Sequence, residues 1–84
     1  MIIETEELKE IIDHCERAQD RYGNFASTHE ALGVAFEEWD ELLKAIHSNK
    51  IESIRDEAID MAAVLLRLAM QCRTATAMKE RSVK

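Results

Sequence analysis

The sequence predicts an all-α protein. Its 84 residues include no proline and two glycines, so the chain has few helix breakers and few of the turn residues that a β fold requires. Apolar residues make up 46% of the chain and charged residues 33%, which is the composition of a globular domain. Apolar side chains recur at the helical period in three stretches, separated by short polar segments. We therefore expect one domain over residues 1–84, built from three main helices.

The first predicted helix runs from about residue 4 to residue 21. Its apolar positions follow the helical period and define one face. The segment that follows contains Gly23 and Asn24, which accept the left-handed backbone at a helix end. The face comprises Leu8, Ile11, Ile12, Cys15 and Tyr22, with Gln19 interrupting it.

The second predicted helix covers about residues 27–47. Ser27 and Glu30 have the spacing of a capping box, in which each side chain satisfies a free backbone amide near the other. At 100° per residue the large apolar side chains fall on one side of this helix, and we expect that side to face the core. We also expect Trp39 to be a core residue rather than a platform for base stacking. The predicted core side comprises Leu32, Ala35, Phe36, Trp39, Leu42, Leu43 and Ile46, and the opposite side carries Glu30, Glu37, Glu38 and Glu41.

A short polar turn predicts that the third helix, about residues 50–77, lies antiparallel to the second. Asn49 and Glu52 suggest a second, weaker capping box at its start. Between residues 58 and 70 the only charged residues are Asp60 and Arg67, so this helix has no wide polar face and must be surrounded by other helices.

Two companion helices from one chain cannot easily surround an apolar helix. We therefore expect a homo-oligomer, a dimer or a tetramer, that completes a four-helix-bundle-like core. The basic tail at residues 79–84 is expected to be frayed.

The net charge and the first residues of the chain argue against several classes of protein. The net charge of −6 argues against a nucleic-acid surface, which normally shows a basic stripe. The first residues lack the basic start and apolar run of a signal peptide, and no segment approaches a membrane span. We therefore expect a cytoplasmic protein with no membrane partner. Cys15 and Cys72 fit reduced thiols rather than a disulfide framework.

Two pairs of acidic residues indicate a candidate site of chemistry. Glu38 and Glu41 lie three residues apart on the second helix, and Glu57 and Asp60 lie three apart on the third. Because the helices are expected to be antiparallel, the pairs can meet at one level. Two unit charges about 5 Å apart at an effective dielectric constant of about 20 cost roughly 3 kcal/mol, so either a proton or a cation is needed there. Oxygen ligands select Mg²⁺, with Mn²⁺ as the alternative.

Other interpretations of these acids stay open on the residues alone. Acids on the second helix also fit a solvated helix face, and Asp60 also fits an ion pair with Arg67 or with another helix. A ferritin-like di-iron site is not indicated, because no histidine stands three residues after a glutamate.

The two acidic motifs resemble the signature of the MazG-like, all-α nucleoside triphosphate pyrophosphatases. That signature is Glu-x-x-Glu followed by Glu-x-x-Asp, often preceded by further acids. It stands in this chain as Glu37-Glu38-Trp39-Asp40-Glu41-Leu42 and Asp56-Glu57-Ala58-Ile59-Asp60-Met61. Residues 29–43 are also similar to the small phage and integron-cassette members. The resemblance implies a Mg²⁺-dependent hydrolase that cleaves a nucleoside triphosphate to the monophosphate and pyrophosphate, in nucleotide-pool house-cleaning.

The resemblance implies roles for the residues that stand at the matching positions of the two motifs. It implies metal ligands at Glu38, Glu41, Glu57 and Asp60. It also implies catalytic roles for Glu38 and Glu41 and for Glu37, which would orient the attacking water or accept a hydrogen bond beside the metal.

Four further side chains are candidates for contact with the nucleotide. Arg67 is the first candidate for the phosphates, although many family members carry asparagine there, and Lys44 is the second. Phe25 fits either stacking on a base or anchoring its loop, and His29 fits either a substrate contact or a surface histidine near a helix cap. The preferred base and sugar, and the subunit that supplies each basic residue, stay open. The alternatives are a non-catalytic helical interaction module and a family member that binds nucleotide without hydrolysing it.

Overall fold

Three helices make up the chain in the computed structural model, which describes residues 1–79. They are α1 (Thr5–Tyr22), α2 (Thr28–Ser48) and α3 (Ile51–Lys79). No strand occurs within residues 1–79, so the predicted all-α class with three helices is confirmed. Each helix begins one residue after its predicted start. The tail that is predicted to be frayed covers residues 79–84, and all of these except Lys79 lie outside the described residues.

The loop between α1 and α2 is defined by its two caps. Gly23 has a φ of 73°, a backbone conformation that residues with a Cβ atom rarely adopt. Its N–H donates to the carbonyl of Gln19 over 2.9 Å. The Ser27 hydroxyl accepts from the N–H of Glu30 over 3.0 Å, as predicted. The Glu30 carboxylate accepts from the N–H of Ala26 over 2.6 Å, one residue earlier than a standard capping box requires.

The turn between α2 and α3 differs from the prediction at Asn49. This residue adopts the left-handed conformation, with φ 61° and ψ 21°, and its N–H donates to the carbonyl of Ile46. Asn49 therefore closes α2, and the predicted capping box with Glu52 is wrong. The amide of Lys50 instead donates to the Ser48 hydroxyl over 3.2 Å.

The third helix lies between the other two. It packs against α1 and against α2, whereas no Cα atoms of α1 and α2 lie within 8 Å of each other. Arg55 ties α1 to the start of α3, because its guanidinium donates to Glu7 and Glu10 over 2.7 Å each. These contacts lower the pKa of Glu10, chiefly through the hydrogen bond from Arg55. The result is an open groove with α1 and α2 as its walls and α3 as its floor.

Small side chains form much of the core. Phe25, Ala31 and Val64 are buried together, and Val34, Ala35 and Leu68 pack against them. Ala63 is also fully buried, and its carbonyl accepts from the Cys15 thiol over 3.3 Å. Alanines at these positions let the helix backbones approach closely, which leaves little room for large side chains between them.

The face of α2 that meets α3 is not the one that the periodicity predicts. Ala31 and Ala45 are buried, and Glu38 and Leu42 between them are partly buried. Most of the large apolar side chains of α2 remain exposed, and Trp39 is half exposed, so its predicted core position is wrong for the single chain. On α3 the burial is also one-sided, because Ala63 and Val64 are buried while Leu65 and Met70 are exposed. The predicted homo-oligomer, in which further copies of the chain would complete the helical bundle, stays a prediction.

None of the three helices, over the described residues, combines the length and the apolar character that crossing a membrane requires.

Candidate metal centre

Three carboxylates from two helices converge at the centre of the chain. Glu38 of α2 and Glu57 and Asp60 of α3 can each place one oxygen within 4.8 Å of the oxygens of the other two. All three side chains are partly buried. Glu38 reaches this position because it lies on the α2 face that meets α3, and Glu57 and Asp60 project together because they lie three residues apart. We call these three residues the acidic triad.

The fourth predicted ligand, Glu41, lies beside the triad rather than in it. Its side chain is exposed, and it does not belong to the group of carboxylates that meet within 4.8 Å among the described residues. Its negative charge still raises the pKa values of Glu38 and Glu57, so it is near enough to act on the triad electrostatically.

The electrostatics of the triad favour uptake of positive charge. Burial is the largest cause that raises the pKa of Glu38, and the charges of Asp60 and Glu57 add to it. Burial also raises the pKa of Glu57, followed by the charges of Asp60 and Glu41. Both effects disfavour the ionised carboxylate, and a proton or a cation relieves both.

The partner of Asp60 is His14 of α1. The Nε2 atom of His14 lies 3.0 Å from Oδ1 of Asp60, and both side chains are about one-third exposed. The Nδ1 atom of His14 is buried and has no hydrogen-bond partner. Of the two partners considered for Asp60 from the sequence, a side chain of another helix is therefore the one in contact, and the contact is an ion pair only when His14 is protonated. An ion pair between Asp60 and Arg67 is absent among the described residues.

Sequence reasoning missed the role of His14. The usable signal was its position between Ile11 and Ala18 and next to Cys15, on the apolar side of the first helix. A histidine on an inward face must reach a polar partner on another element.

Arg67 anchors the loop between α1 and α2. Its guanidinium donates to the carbonyl of Gly23 over 2.9 Å and lies 4.4 Å from the centre of the Phe25 ring. A longer contact of 3.4 Å reaches the side chain of Gln19. Arg67 also borders the groove between α1 and α2, so the predicted contact with substrate phosphates stays a prediction.

Phe25 occupies the core side of the same loop. Its side chain is only 7% exposed, and it packs with Ala31 and Val64. The Gln71 amide holds the Phe25 backbone from both sides, accepting from its N–H and donating to its carbonyl over 2.9 Å each. These contacts are those of a loop anchor. Stacking of the ring on a base would require it to leave this position.

Two openings flank the triad. The groove between α1 and α2 has a volume of about 450 Å³, and its wall carries Glu37, Glu38 and Arg67. A second cavity of about 470 Å³ lies between α1 and α3 and reaches Glu57 and Asp60. His14 borders both openings. The triad is therefore accessible to a small ion and to a larger ligand.

The remaining predicted contacts lie farther out. Lys44 forms an ion pair with Asp40 over 3.0 Å on the surface of α2, which raises the pKa of Lys44. His29 is exposed in the first turn of α2. The predicted substrate roles of Lys44 and His29 stay predictions.

Comparisons with protein-family models, with curated proteins and with solved structures found no match. The resemblance to the MazG-like enzymes thus rests on the sequence alone, on its two acidic motifs and on residues 29–43.

Proposed function

We propose that the protein is a Mg²⁺-dependent nucleoside triphosphate pyrophosphohydrolase whose metal is held by the acidic triad. The observation that supports this most is the convergence of Glu38, Glu57 and Asp60 within 4.8 Å. An octahedral ion with ligand distances of about 2.1 Å places neighbouring oxygens about 3 Å apart and opposite ones about 4 Å apart. Small side-chain rotations would therefore bring the three oxygens to one ion.

The donor set fits magnesium or manganese better than a softer metal. The triad offers carboxylate oxygens only, and these hard ligands suit Mg²⁺ and Mn²⁺. Three protein ligands leave positions for water and for phosphate oxygens. A metal bound there would polarise a phosphoryl oxygen and lower the pKa of bound water.

The other acids have roles that match their positions. Glu37 lies on the wall of the groove next to Glu38, where it would orient a water molecule and accept its proton. Glu41, outside the triad, would add negative charge that strengthens the hold on the cation or supply a further ligand after rotation. Attack of water on the α-phosphorus breaks the bond to the bridging oxygen and yields the nucleoside monophosphate and pyrophosphate.

The groove supplies a place for the nucleotide. Its volume of about 450 Å³ lies in the range of small-molecule sites. Arg67 borders this groove as Glu38 does, so a triphosphate bound there would meet both a metal and a guanidinium. Lys44, His29 and Phe25 remain secondary candidates for substrate contact. In this proposal the protein is cytoplasmic, works as a homo-dimer or tetramer, and cleanses the nucleotide pool.

A non-catalytic interaction module is the second candidate. The observation that favours it is the row of large apolar side chains that α2 leaves exposed, including Phe36 and Trp39. In that function the acids stabilise an assembly or contact a basic partner, and no nucleotide is turned over. A chain that binds nucleotide without hydrolysing it lies between the two candidates.

Pyrophosphate release distinguishes these functions. The purified protein is incubated with Mg²⁺ and a panel of canonical and modified nucleoside triphosphates. We expect release with at least one nucleotide, and a loss of at least 100-fold in Asp60→Asn and Glu57→Gln, the order expected when charge stabilisation of a transition state is removed. Asp20→Asn, which neutralises an exposed acid of α1, is the matched control and should keep full activity. No turnover of any nucleotide, or full turnover in Asp60→Asn, would refute the enzyme.

A further inference from the structure

Five large apolar side chains form a continuous row on the outer face of α2. Their spacing alternates between four and three residues, which is the pattern of the contact positions in a coiled coil. Each remains substantially exposed in the single chain, although large apolar residues normally favour burial. We call this row the α2 stripe. It comprises Leu32 (51% exposed), Phe36 (63%), Trp39 (50%), Leu43 (37%) and Ile46 (43%).

Nothing else in the described chain covers the α2 stripe. The α3 helix packs against the α2 face that contains Ala31 and Ala45, and no Cα atom of α1 lies within 8 Å of one in α2. The exposed part of the five side chains amounts to roughly 500 Å² of apolar surface, at the upper end of what a monomer usually leaves exposed. A standard interface buries about 800 Å² on each partner. The stripe and its flanking residues are large enough to supply this area.

The order of side chains in the stripe suits a second copy of the same chain. Trp39 is central, Leu32 and Ile46 lie seven residues to either side, and Phe36 and Leu43 lie three and four residues away. The stripe therefore has nearly the same spacing when it is read backwards. A two-fold symmetric contact needs a surface that is complementary to itself, and this arrangement meets that requirement for antiparallel helices.

The flanks of the stripe carry little unbalanced charge. Among the positions beside it, Ala35 and Leu42 are apolar, Gly33 has no side chain, and Asp40 is already paired with Lys44 over 3.0 Å. The exposed His29 and His47 lie near its two ends. A strongly basic or acidic partner would find few opposite charges there. A second copy meets the same neutral flanks and incurs no large repulsion.

We propose that the α2 stripe is the interface of an antiparallel homodimer, with Trp39 at the two-fold axis. Large apolar side chains then pack across the axis, with Leu32 beside the partner's Ile46. This inference names the surface and the orientation of the dimer, which the proposed function leaves open. It does not depend on the enzymatic activity, because none of the five side chains belongs to the acidic triad.

Sedimentation velocity tests the interface. At micromolar concentration the wild-type protein should sediment as a dimer of its 9.6 kDa chain. Phe36→Glu should shift it to a monomer while circular dichroism shows unchanged helix content. Leu65→Glu, which places the same charge at a half-exposed apolar position of α3, should remain dimeric. A monomeric wild-type protein, or a dimer that Leu65→Glu disrupts and Phe36→Glu does not, would overturn the proposal.

Cysteine cross-linking tests the orientation, in a Cys72→Ser background that removes the exposed native thiol. Ile46→Cys alone should give no disulfide-linked dimer, because an antiparallel contact separates the two copies of this residue. A mixture of Leu32→Cys and Ile46→Cys chains should cross-link. Efficient cross-linking of Ile46→Cys by itself would instead indicate a parallel dimer and would contradict the antiparallel interface.

Discussion

His14 of α1 lies 3.0 Å from Asp60 of α3, through its Nε2 atom and the Oδ1 atom of the carboxylate. No Cα atoms of α1 and α2 lie within 8 Å of each other, and this pair joins α1 directly to a member of the acidic triad. It also fixes the direction in which Asp60 presents its other oxygen. His14 on α1 thus orients a candidate ligand on α3, which gives α1 a role in the site.

Removal of the imidazole should therefore weaken cation binding. In His14→Ala we expect the affinity for Mn²⁺, measured by titration calorimetry, to fall by roughly 10- to 100-fold, the usual cost of losing a group that orients a metal ligand. His47→Ala is the matched control, because His47 is exposed at the end of α2. Unchanged affinity in His14→Ala would show that the 3.0 Å contact has no part in the site.

Glu38 should destabilise the metal-free protein at neutral pH. Burial and neighbouring acids raise its pKa in the folded chain, so the folded state binds more protons than the unfolded state between the two pKa values. The contribution of Glu38 to the free energy of unfolding is thus favourable at acid pH and decreases as the pH rises through that window. In Glu38→Gln we expect a higher melting temperature than wild type at pH 7 without metal, and a smaller difference near pH 4.5, about the ordinary pKa of a glutamate.

The matched control for this experiment is Glu10→Gln. Arg55 lowers the pKa of Glu10, so this carboxylate stabilises the folded chain at neutral pH and loses that effect as the pH falls. Glu10→Gln should therefore lower the melting temperature at pH 7. A lower melting temperature of metal-free Glu38→Gln at pH 7 would contradict the description of the triad as mutually repulsive.

Much of the fold and of the site could be predicted from local sequence signals. Gly23 and Ser27 mark helix ends through their own backbone and side-chain chemistry, which operates over a few residues. The convergence of Glu38 with Glu57 and Asp60 also followed from local rules, because spacing sets the direction of side chains and a short turn makes helices antiparallel.

Tertiary packing determined what the sequence could not predict. Hydrophobic periodicity gives most weight to large side chains, and it placed Trp39 in the core. The chain instead buries Ala31 and Ala45 against α3, because small side chains permit the close approach of two helices. The contacts of His14 and Arg67 depend on which helix lies opposite each of them, and no local pattern contains that information.

Gln71 should be important for the stability of the loop between α1 and α2. Its amide makes two 2.9 Å hydrogen bonds to the backbone of Phe25, in a partly buried location. In Gln71→Ala we expect a loss of about 1–3 kcal/mol in the free energy of unfolding by urea, since backbone groups lose their partners. Thr74→Ala, one turn farther along α3 at an exposed position, should change it by less than about 0.5 kcal/mol. Equal effects of the two variants would exclude this role for Gln71.

The two glycines should respond in opposite directions to alanine. Gly23 has a φ of 73° and a ψ of −162°, a region that only glycine adopts readily, so Gly23→Ala should destabilise the protein by about 1 kcal/mol or more. Gly33 lies within α2, and an added Cβ would meet no atom within 4 Å. Gly33→Ala should therefore stabilise the chain by about 0.5–1 kcal/mol. Thermal melts of both variants check the prediction, and stabilisation by Gly23→Ala would contradict the geometry of the loop.

The most direct test of the proposed centre is the binding of Mn²⁺ to the wild-type protein, followed by the loss of the free-ion signal in electron paramagnetic resonance. We expect saturable binding with one ion per acidic triad. We also expect a reduction of at least about tenfold in affinity in Glu57→Gln and Asp60→Asn, and no change in Asp20→Asn. Absence of saturable binding at millimolar Mn²⁺, or binding that Glu57→Gln and Asp60→Asn leave unchanged, would contradict the assignment of the triad as a metal centre.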